Sequence, residues 1–208
     1  MIIAIFFYRE VYAVSIVGPF PIAITNLLDL TRLDLHNNKL TGPVPPQIGR
    51  LRRLRVFEVI ALKYAIHQLG CSMLLCHLDF GHFKGEIPKE LANLPELRYL
   101  YLQENHFTGR IPPELGNLQN LRHFKKLLKF AFDADIYLTG GVPAQLANLT
   151  NLEILYLDHN QFSGRIPNAF YKHPLLKELY IEGNGFRPGV NPIGAHKVLE
   201  LSDTDFLV

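Results

Sequence analysis

A short pattern of asparagine, glycine and proline recurs along this 208-residue chain, and it limits the possible folds more than any other feature. The pattern reads LHNNKLTGPVP at residues 35–45, and it returns as LQENHFTGRIP at 102–112 and LDHNQFSGRIP at 157–167. The turn glycines also recur at one spacing, because Gly18 and Gly42 lie 24 residues apart, as do Gly140 and Gly164. Self-similarity at such a period predicts a solenoid, in which each repeat packs mainly on its neighbours.

The stretch from Leu27 to Leu51 shows how one repeat is built. Leucines alternate with polar residues over 32–36, which predicts a short strand with one buried face. Asn38 follows, and its side chain can bond backbone groups that the bending chain leaves unpaired. Gly42 allows a backbone conformation without the cost of a Cβ atom. Residues 46–51 then return along the outer side as a short helix or turn.

These residues resemble the plant-specific class of leucine-rich repeats, whose pattern is LxxLxxLxLxxNxLxGxIPxxLGxL. The segments LTGPVPPQIGRL (40–51) and FTGRIPPELGNL (107–118) carry the GxIP element that distinguishes the class. The resemblance implies an α/β leucine-rich repeat solenoid with a concave parallel β-sheet and short helices or turns on the convex side. The family includes ectodomains of receptor-like kinases and receptor-like proteins, and secreted inhibitors of microbial wall-degrading enzymes. It therefore implies a secreted or cell-surface protein.

The whole chain, 1–208, is interpreted as one repeat domain of about seven units, with a closing segment at 186–208. Two stretches, about 57–76 and 124–137, fall out of phase: 43 residues separate Gly42 from Gly85, and 31 separate Gly109 from Gly140. Both stretches are apolar at helical spacing, beginning with Leu54 and Phe57 in the first, and with Leu121 and Phe124 in the second. We expect damaged or abnormally joined repeats there, and the alternative is a functional inserted helix.

Residues beside the buried strand leucines are predicted to share the concave face. Three columns follow from the repeat: Asp34, His77, Tyr101, Tyr156 and Tyr180; His36, Asp79, Gln103, Asp158 and Glu182; and Arg32, Tyr99, Ile154 and Glu178. Tyrosine offers a large contact area and loses little rotamer entropy, so these columns predict a binding surface. The alternative is that the aromatic rings only stack on one another. The acids beside the tyrosines favour a positively charged peptide or protein. The predicted partner contacts are Asp34, Tyr99, Tyr101, Gln103, Tyr156, Asp158, Tyr180 and Glu182.

Three further groups of residues suggest other chemistry. A zinc site is disfavoured against buried thiols because no loop separates the ligand pairs among Cys71, Cys76, His77 and His82. A group of basic residues follows a helix-like apolar stripe at Arg122, His123, Lys125, Lys126 and Lys129. A solvated helix face is favoured there over a site for an acidic partner or a membrane surface. Asn148, in Asn148-Leu149-Thr150, is an acceptor for N-glycosylation if the chain is secreted.

Several classes of function find no support in the sequence. It lacks a glycine-rich phosphate loop, a nucleophile elbow and a kinase signature, so neither an enzyme nor a cofactor is expected. A net charge of +2 indicates no nucleic-acid partner. No apolar run is long enough for a transmembrane helix, and the N-terminus is not typical of a secretory signal. The sequence predicts a non-catalytic scaffold that binds proteins or peptides, in plant signalling or defence by resemblance. The alternatives are an inhibitor of a secreted hydrolase and a truncated product without independent function.

Overall fold

Short strands and short helices alternate along the chain in a computed structural model that describes residues 3–7, 10–14, 16–36, 38–59, 83–103, 105–125 and 137–187. The strands are β1 (Ile3–Phe7), β2 (Glu10–Val14), β3 (Val17–Pro19), β4 (Arg32–Asp34), β5 (Lys39–Thr41), β6 (Val56–Glu58), β7 (Lys84–Glu86), β8 (Tyr99–Tyr101), β9 (His106–Thr108), β10 (His123–Lys125), β11 (Thr139–Gly140), β12 (Ile154–Tyr156), β13 (Gln161–Gly164), β14 (Glu178–Tyr180) and β15 (Gly185–Phe186). The described helices are all of the 3-10 type: Ile22–Asn26, Pro46–Arg50, Lys89–Asn93, Pro113–Asn117, Ala144–Asn148 and Asn168–Lys172.

One long sheet, the main sheet, takes one strand from each repeat. Its order is β1-β2-β4-β6-β8-β10-β12-β14, with β1 antiparallel to β2 and every later pair parallel. The turn strands form a second series, β3-β5, β7-β9 and β11-β13-β15, which the bridges Gly42–Phe83 and Gly109–Leu138 join. Together with the 3-10 helices on the other side of each repeat, this arrangement confirms the predicted parallel-stranded solenoid.

The core lies between the main sheet and the 3-10 helices, and it is continuous along the repeats. The central residue of each main-sheet strand from β4 to β14 is at most 2% exposed, and these residues are Leu33, Phe57, Leu100, Phe124, Leu155 and Leu179. Burial of each such side chain contributes about 1.5–3 kcal/mol, but only because a neighbouring repeat covers it.

Four asparagines, of which three are buried and Asn184 is half-buried, connect their turns to the preceding repeat. Each side-chain Oδ1 accepts a hydrogen bond from a backbone N–H 22 residues earlier, at 2.8–3.2 Å, in the pairs Asn38–Ile16, Asn105–Phe83, Asn160–Leu138 and Asn184–Phe162. Each Nδ2 also donates to carbonyl oxygens of its own bend, as from Asn38 to Leu35 at 3.0 Å. The hydrogen-bonded column predicted for these asparagines is therefore confirmed.

Each of the two out-of-phase stretches adds residues to a single repeat of the main sheet, where damaged or abnormally joined repeats were expected. Strand β6 pairs directly with β8, so no strand of the main sheet lies between them. The distance along the chain from Val56 to Gly85 is 29 residues, against 10 from Arg32 to Gly42, which leaves 19 additional residues. From His123 to Gly140 it is 17 residues, which leaves 7. The expected misalignment of the strands is wrong, because the register continues across both positions.

This strand order changes the predicted columns. Glu58, and not His77, lies between Asp34 and Tyr101, and Lys125 lies between Tyr101 and Tyr156. Strand β6 alone lies between β4 and β8 in the main sheet, and Asp79 of the predicted second column lies outside the described residues. The helical stripes are wrong where they are described, because Phe57 and Phe124 are central residues of strands. The basic helix face is wrong in the same way for His123 and Lys125, which belong to β10. The remainder of both stretches, the candidate zinc ligands, Lys126, Lys129 and the closing segment from 188 onward lie outside the described residues.

Neighbouring 3-10 helices approach each other closely at two glycines. A Cβ atom on Gly116 would lie 2.4 Å from the backbone oxygen of Gln145, and one on Gly49 would lie 2.7 Å from that of Glu90. These contacts join the repeats on either side of the two stretches with additional residues. The helical side is therefore closed at both positions.

Candidate functional site

The strand face of the main sheet is made by side chains that flank the buried central residue of each strand. Its two columns follow from the strand register. The first column is Arg32, Val56, Tyr99, His123, Ile154 and Glu178, and the second is Asp34, Glu58, Tyr101, Lys125, Tyr156 and Tyr180. Tyr101, Tyr156 and Tyr180 do share a column, as predicted. Lys125 separates the first of them from the other two.

An aromatic group occupies β8 and β10. The rings of Tyr99 and His123 meet edge to face with centroids 4.9 Å apart, and the Tyr101 hydroxyl lies 3.0 Å from Nδ1 of His123. Burial lowers the pKa of His123, and the positive charge of Lys125 lowers it further. All three rings are half-buried, so they pack on one another and still present a surface to a partner.

Lys125 lies between two tyrosines of the second column. Its Nζ is 4.3 Å from the centroid of the Tyr156 ring and 5.8 Å from that of Tyr101, which are cation–π distances. Tyr156 packs edge to face on Tyr180 at 4.2 Å and donates a hydrogen bond of 2.5 Å to Oε2 of Glu178. Burial and this hydrogen bond raise the pKa of Tyr156. Stacking between the rings, the alternative interpretation, therefore does not account for all contacts of the tyrosines, since the ammonium group of Lys125 lies against two of them.

Charged residues at the β4 end of the strand face form an ion-pair network. Nη2 of Arg32 lies 3.3 Å from Oδ2 of Asp34 and 3.1 Å from Oε2 of Glu58, while Nδ1 of His36 contacts Oδ1 of Asp34. Burial and the charge of Asp34 raise the pKa of Glu58. One donor atom each from Asp34, His36 and Glu58 lies within 4.8 Å of the others, which suits a cation in spacing. The guanidinium of Arg32 already bonds both carboxylates, however, so a metal ion would have to displace it.

The other predicted contact residues differ in how accessible they are. Asp34 is 3% exposed and Asp158 is 8% exposed, so both are largely shielded. Asp158 contacts Nδ1 of His159 through Oδ2 at 3.2 Å, and its Oδ1 is buried without a hydrogen-bond partner in the described part of the chain. Gln103 and Glu182 are half-buried beyond the ends of β8 and β14. Of the predicted set, the tyrosines therefore present the most continuous surface.

Asn148, the predicted glycosylation acceptor, lies on the opposite side of the repeat from the strand face. It is the last residue of the helix Ala144–Asn148 and is exposed, while Leu149 after it is buried. A glycan at Asn148 would leave the strand face open. The acceptor remains a prediction.

Sequence reasoning missed Glu58, His123 and Lys125 on the strand face. The signal was present, because each of the two central phenylalanines has flanking residues of the strand type, Val56 and Glu58 in one case and His123 and Lys125 in the other. The same apolar residues also fit a helical spacing, which led to the prediction of helices instead of strands. The edge of the face was also missed. Backbone bonds place the residues directly before the strands in a row, which runs Thr31, Arg55, Arg98, Arg122, Glu153 and Lys177.

Within the described ranges, no helix has the length and apolar character needed to cross a bilayer. The six helices of this part of the chain are 3-10 segments of five residues each.

Comparison with known proteins identifies the repeat. Three segments, residues 29–51, 96–118 and 151–173, match the Leucine Rich Repeat family model. Receptor like protein 27 of Arabidopsis thaliana is 34% identical over 76 residues, which cover 34% of this chain and 9% of that protein.

Two solved structures show the same fold over most of the chain. The ectodomain of the plant membrane receptor kinase GASSHO1/SCHENGEN3 from Arabidopsis thaliana, in complex with CASPARIAN STRIP INTEGRITY FACTOR 2, gives a TM-score of 0.64 at 34% identity, covering 82% of this chain and 17% of that one. The plant peptide hormone receptor RGFR1, in complex with RGF2, gives a TM-score of 0.66 at 29% identity, covering 83% of this chain and 23% of that one. The chain thus spans about a tenth of the curated relative and about a fifth of each of these structures.

Proposed function

Because this chain is a leucine-rich repeat protein, we propose that it is a non-catalytic scaffold that binds a peptide or protein on the strand face of its main sheet. The observation that carries the proposal is the run of half-buried tyrosines across that face, Tyr99, Tyr101, Tyr156 and Tyr180. Both solved neighbours are in complex with a ligand, and one of them, RGFR1, is a plant peptide hormone receptor, which supports a peptide as the partner.

The dimensions of the strand face suit an extended peptide. Six strands, β4 to β14, contribute to the two columns. Because neighbouring strands lie about 4.8 Å apart, these six span about 24 Å, which an extended peptide of about seven residues would cross. Parallel strands hold the tyrosines at fixed separations, so little ordering is required when a partner binds.

A role without catalysis agrees with the polar groups of the described residues. The two contacts between a histidine and an aspartate are Asp34–His36 and Asp158–His159, and no hydrogen bond joins either to a serine or cysteine in the described ranges. A nucleophilic mechanism would require such a partner. The resemblance to a receptor-like protein and to a receptor ectodomain supports a role in plant signalling or defence recognition.

The proposal is tested by selecting binders from a display library of random peptides with no bias in charge. Replacing both Tyr156 and Tyr180 by Ala removes two neighbouring aromatic anchors, so we expect the selected peptides to bind at least about tenfold more weakly. Melting temperatures measured in parallel should show that the variant stays folded, because both side chains lie on the outer face of the sheet.

Tyr171→Ala is the matched control, since Tyr171 lies on the helix Asn168–Lys172, away from the strand face. Peptides that bind the double variant as tightly as the natural chain would contradict the proposal. Tyr171 packs partly against the core, so its melting temperature is measured as well. Loss of binding in a folded Tyr171 variant alone would place the site on the helical side instead.

A further inference from the structure

The middle of the strand face, at β8 and β10, carries positive charge and no acid. Residues 98–101 read RYLY and residues 122–125 read RHFK, so β8, β10 and the residue before each contain no acid. Arg98 and Arg122 are exposed and adjacent at the edge of the sheet, where the backbone N–H of Arg122 donates to the carbonyl of Arg98 at 2.8 Å. Lys125 lies on the same strand as His123, in the second column.

The carboxylates around these strands already have partners. Glu58 pairs with Arg32 at 3.1 Å, Glu96 with Arg55 at 3.0 Å, and Glu178 accepts the hydrogen bond of a tyrosine. Glu153 lies 2.7 Å from Lys177 and 3.7 Å from Arg122. Among the described residues, no carboxylate lies within ion-pair distance of Lys125 or Arg98.

The rings around Lys125 prepare it to bind an anion. Tyr156 and Tyr101 hold the ammonium group by cation–π contact and shield it from part of the solvent, so its position is restricted before a partner arrives. A carboxylate placed over it would form a charge-assisted hydrogen bond in partly desolvated surroundings.

We infer that the partner of the strand face is an acidic peptide segment, with one carboxylate on Lys125 between Tyr101 and Tyr156 and further carboxylates reaching Arg98 and Arg122. This inference rests on the proposed function and names its partner chemistry. It differs from the expectation of a positively charged partner, which rested on the acids beside the tyrosines. Of these acids, Asp34 and Asp158 are shielded and engaged, Glu178 accepts the hydrogen bond of Tyr156, and Glu182 is half-buried.

A nucleic acid fits this surface less well than an acidic peptide. The positive patch extends over two middle strands and is bounded by Glu58 on one side and by Glu178 and Glu182 on the other. A continuous row of phosphates crossing the face would be repelled at both ends. A peptide can place its acids at the centre and its uncharged residues at the ends.

The test uses the same charge-unbiased peptide library on the purified chain. Selected peptides should be enriched in Asp and Glu, and a synthetic binder whose acids are changed to Asn and Gln should bind about tenfold more weakly, with affinity that falls as salt rises. Lys125→Gln should weaken the acidic binder by about tenfold, and Arg98→Gln by a smaller factor. Lys84→Gln is the control, because Lys84 is an exposed lysine on the turn strand β7.

The outcomes separate this inference from the proposed function. Binders that need Tyr156 and Tyr180 but show no enrichment in acids, or that are unaffected by Lys125→Gln and Arg98→Gln, would overturn the acidic partner and leave the scaffold function standing. Binders that ignore the two tyrosines would overturn the scaffold function itself. Equal binding of a short single-stranded DNA and the acidic peptide would also contradict the inference.

Discussion

Asn160 shows how much one buried polar side chain contributes at the scale of a residue. It is 4% exposed, accepts a hydrogen bond from the backbone N–H of Leu138 at 3.2 Å, and donates to the carbonyls of Leu157 and Asp158 at 3.0 and 2.9 Å. The side-chain amide therefore supplies hydrogen bonds to one backbone N–H and two backbone carbonyls at a bend, where no regular backbone pairing satisfies them.

Replacing Asn160 by Ala should lower the free energy of unfolding by about 2–4 kcal/mol, since it leaves one buried N–H and two carbonyls without their partner. Urea denaturation followed by circular dichroism measures the change. Asn148→Ala is the control in the preceding repeat, because Asn148 is exposed at the end of its helix, and it should change stability by no more than about 0.5 kcal/mol. Equal losses in both variants would refute the structural role of the asparagine column.

The 3-10 helices limit side-chain size at the scale of an element. In the helix Pro113–Asn117, Gly116 faces the backbone of the next helix, Ala144–Asn148, and has no room for a methyl group. The strand on the same repeat does not show this limit, since its rings lie on an open face. Repeat spacing on the helical side is thus determined by contact between backbones, whereas spacing in the main sheet is determined by hydrogen bonds.

Gly116→Ala should therefore destabilise the chain, because its Cβ would come within 2.4 Å of the Gln145 carbonyl oxygen. Overpacking of this kind costs about 1–3 kcal/mol, which thermal denaturation would detect as a lower melting temperature. Gly141→Ala is the matched control, since the nearest atom to its added Cβ is 3.8 Å away. A Gly116 variant as stable as the Gly141 variant would show that the helices can separate without cost.

Register is maintained along the whole molecule despite the additional residues. Phe57 lies opposite Leu100, and Phe124 lies opposite Leu155, as in repeats of ordinary length. In the sequence, both groups of additional residues follow a main-sheet strand and precede a turn strand. A solenoid tolerates additions at such a position because each repeat needs only its neighbours to bury its core.

Replacing residues 60–82 by the four residues His-Asn-Asn-Lys, which fill the same place at 36–39, should give a chain that still folds. The reason is that β6 and β8 are already hydrogen bonded, so a regular connection preserves the sheet. Cooperative melting within about 5 °C of the natural chain is expected, a shift equivalent to about 1–2 kcal/mol. Non-cooperative melting would indicate that these residues are needed by the core.

The repeating leucines, asparagines and turn glycines could be read from the sequence because each acts within one repeat or on the next one. Leu33 is buried by the period of its own strand, and Asn38 bonds its own bend. Those local rules predicted the solenoid, the asparagine column and the tyrosines of the strand face.

Only the tertiary structure decided which strands are neighbours. Pairing of β6 with β8 and of β10 with β12 depends on contacts between residues that are 43 and 31 positions apart, and no local periodicity reports such contacts. With the pairing of β8 with β10 it places Lys125 between two tyrosines, and the pairing of β4 with β6 places Glu58 beside Arg32. The sequence by itself thus determined that the chain is a repeat scaffold with an aromatic face. The charge of that face was decided by the order in which the sheet assembles.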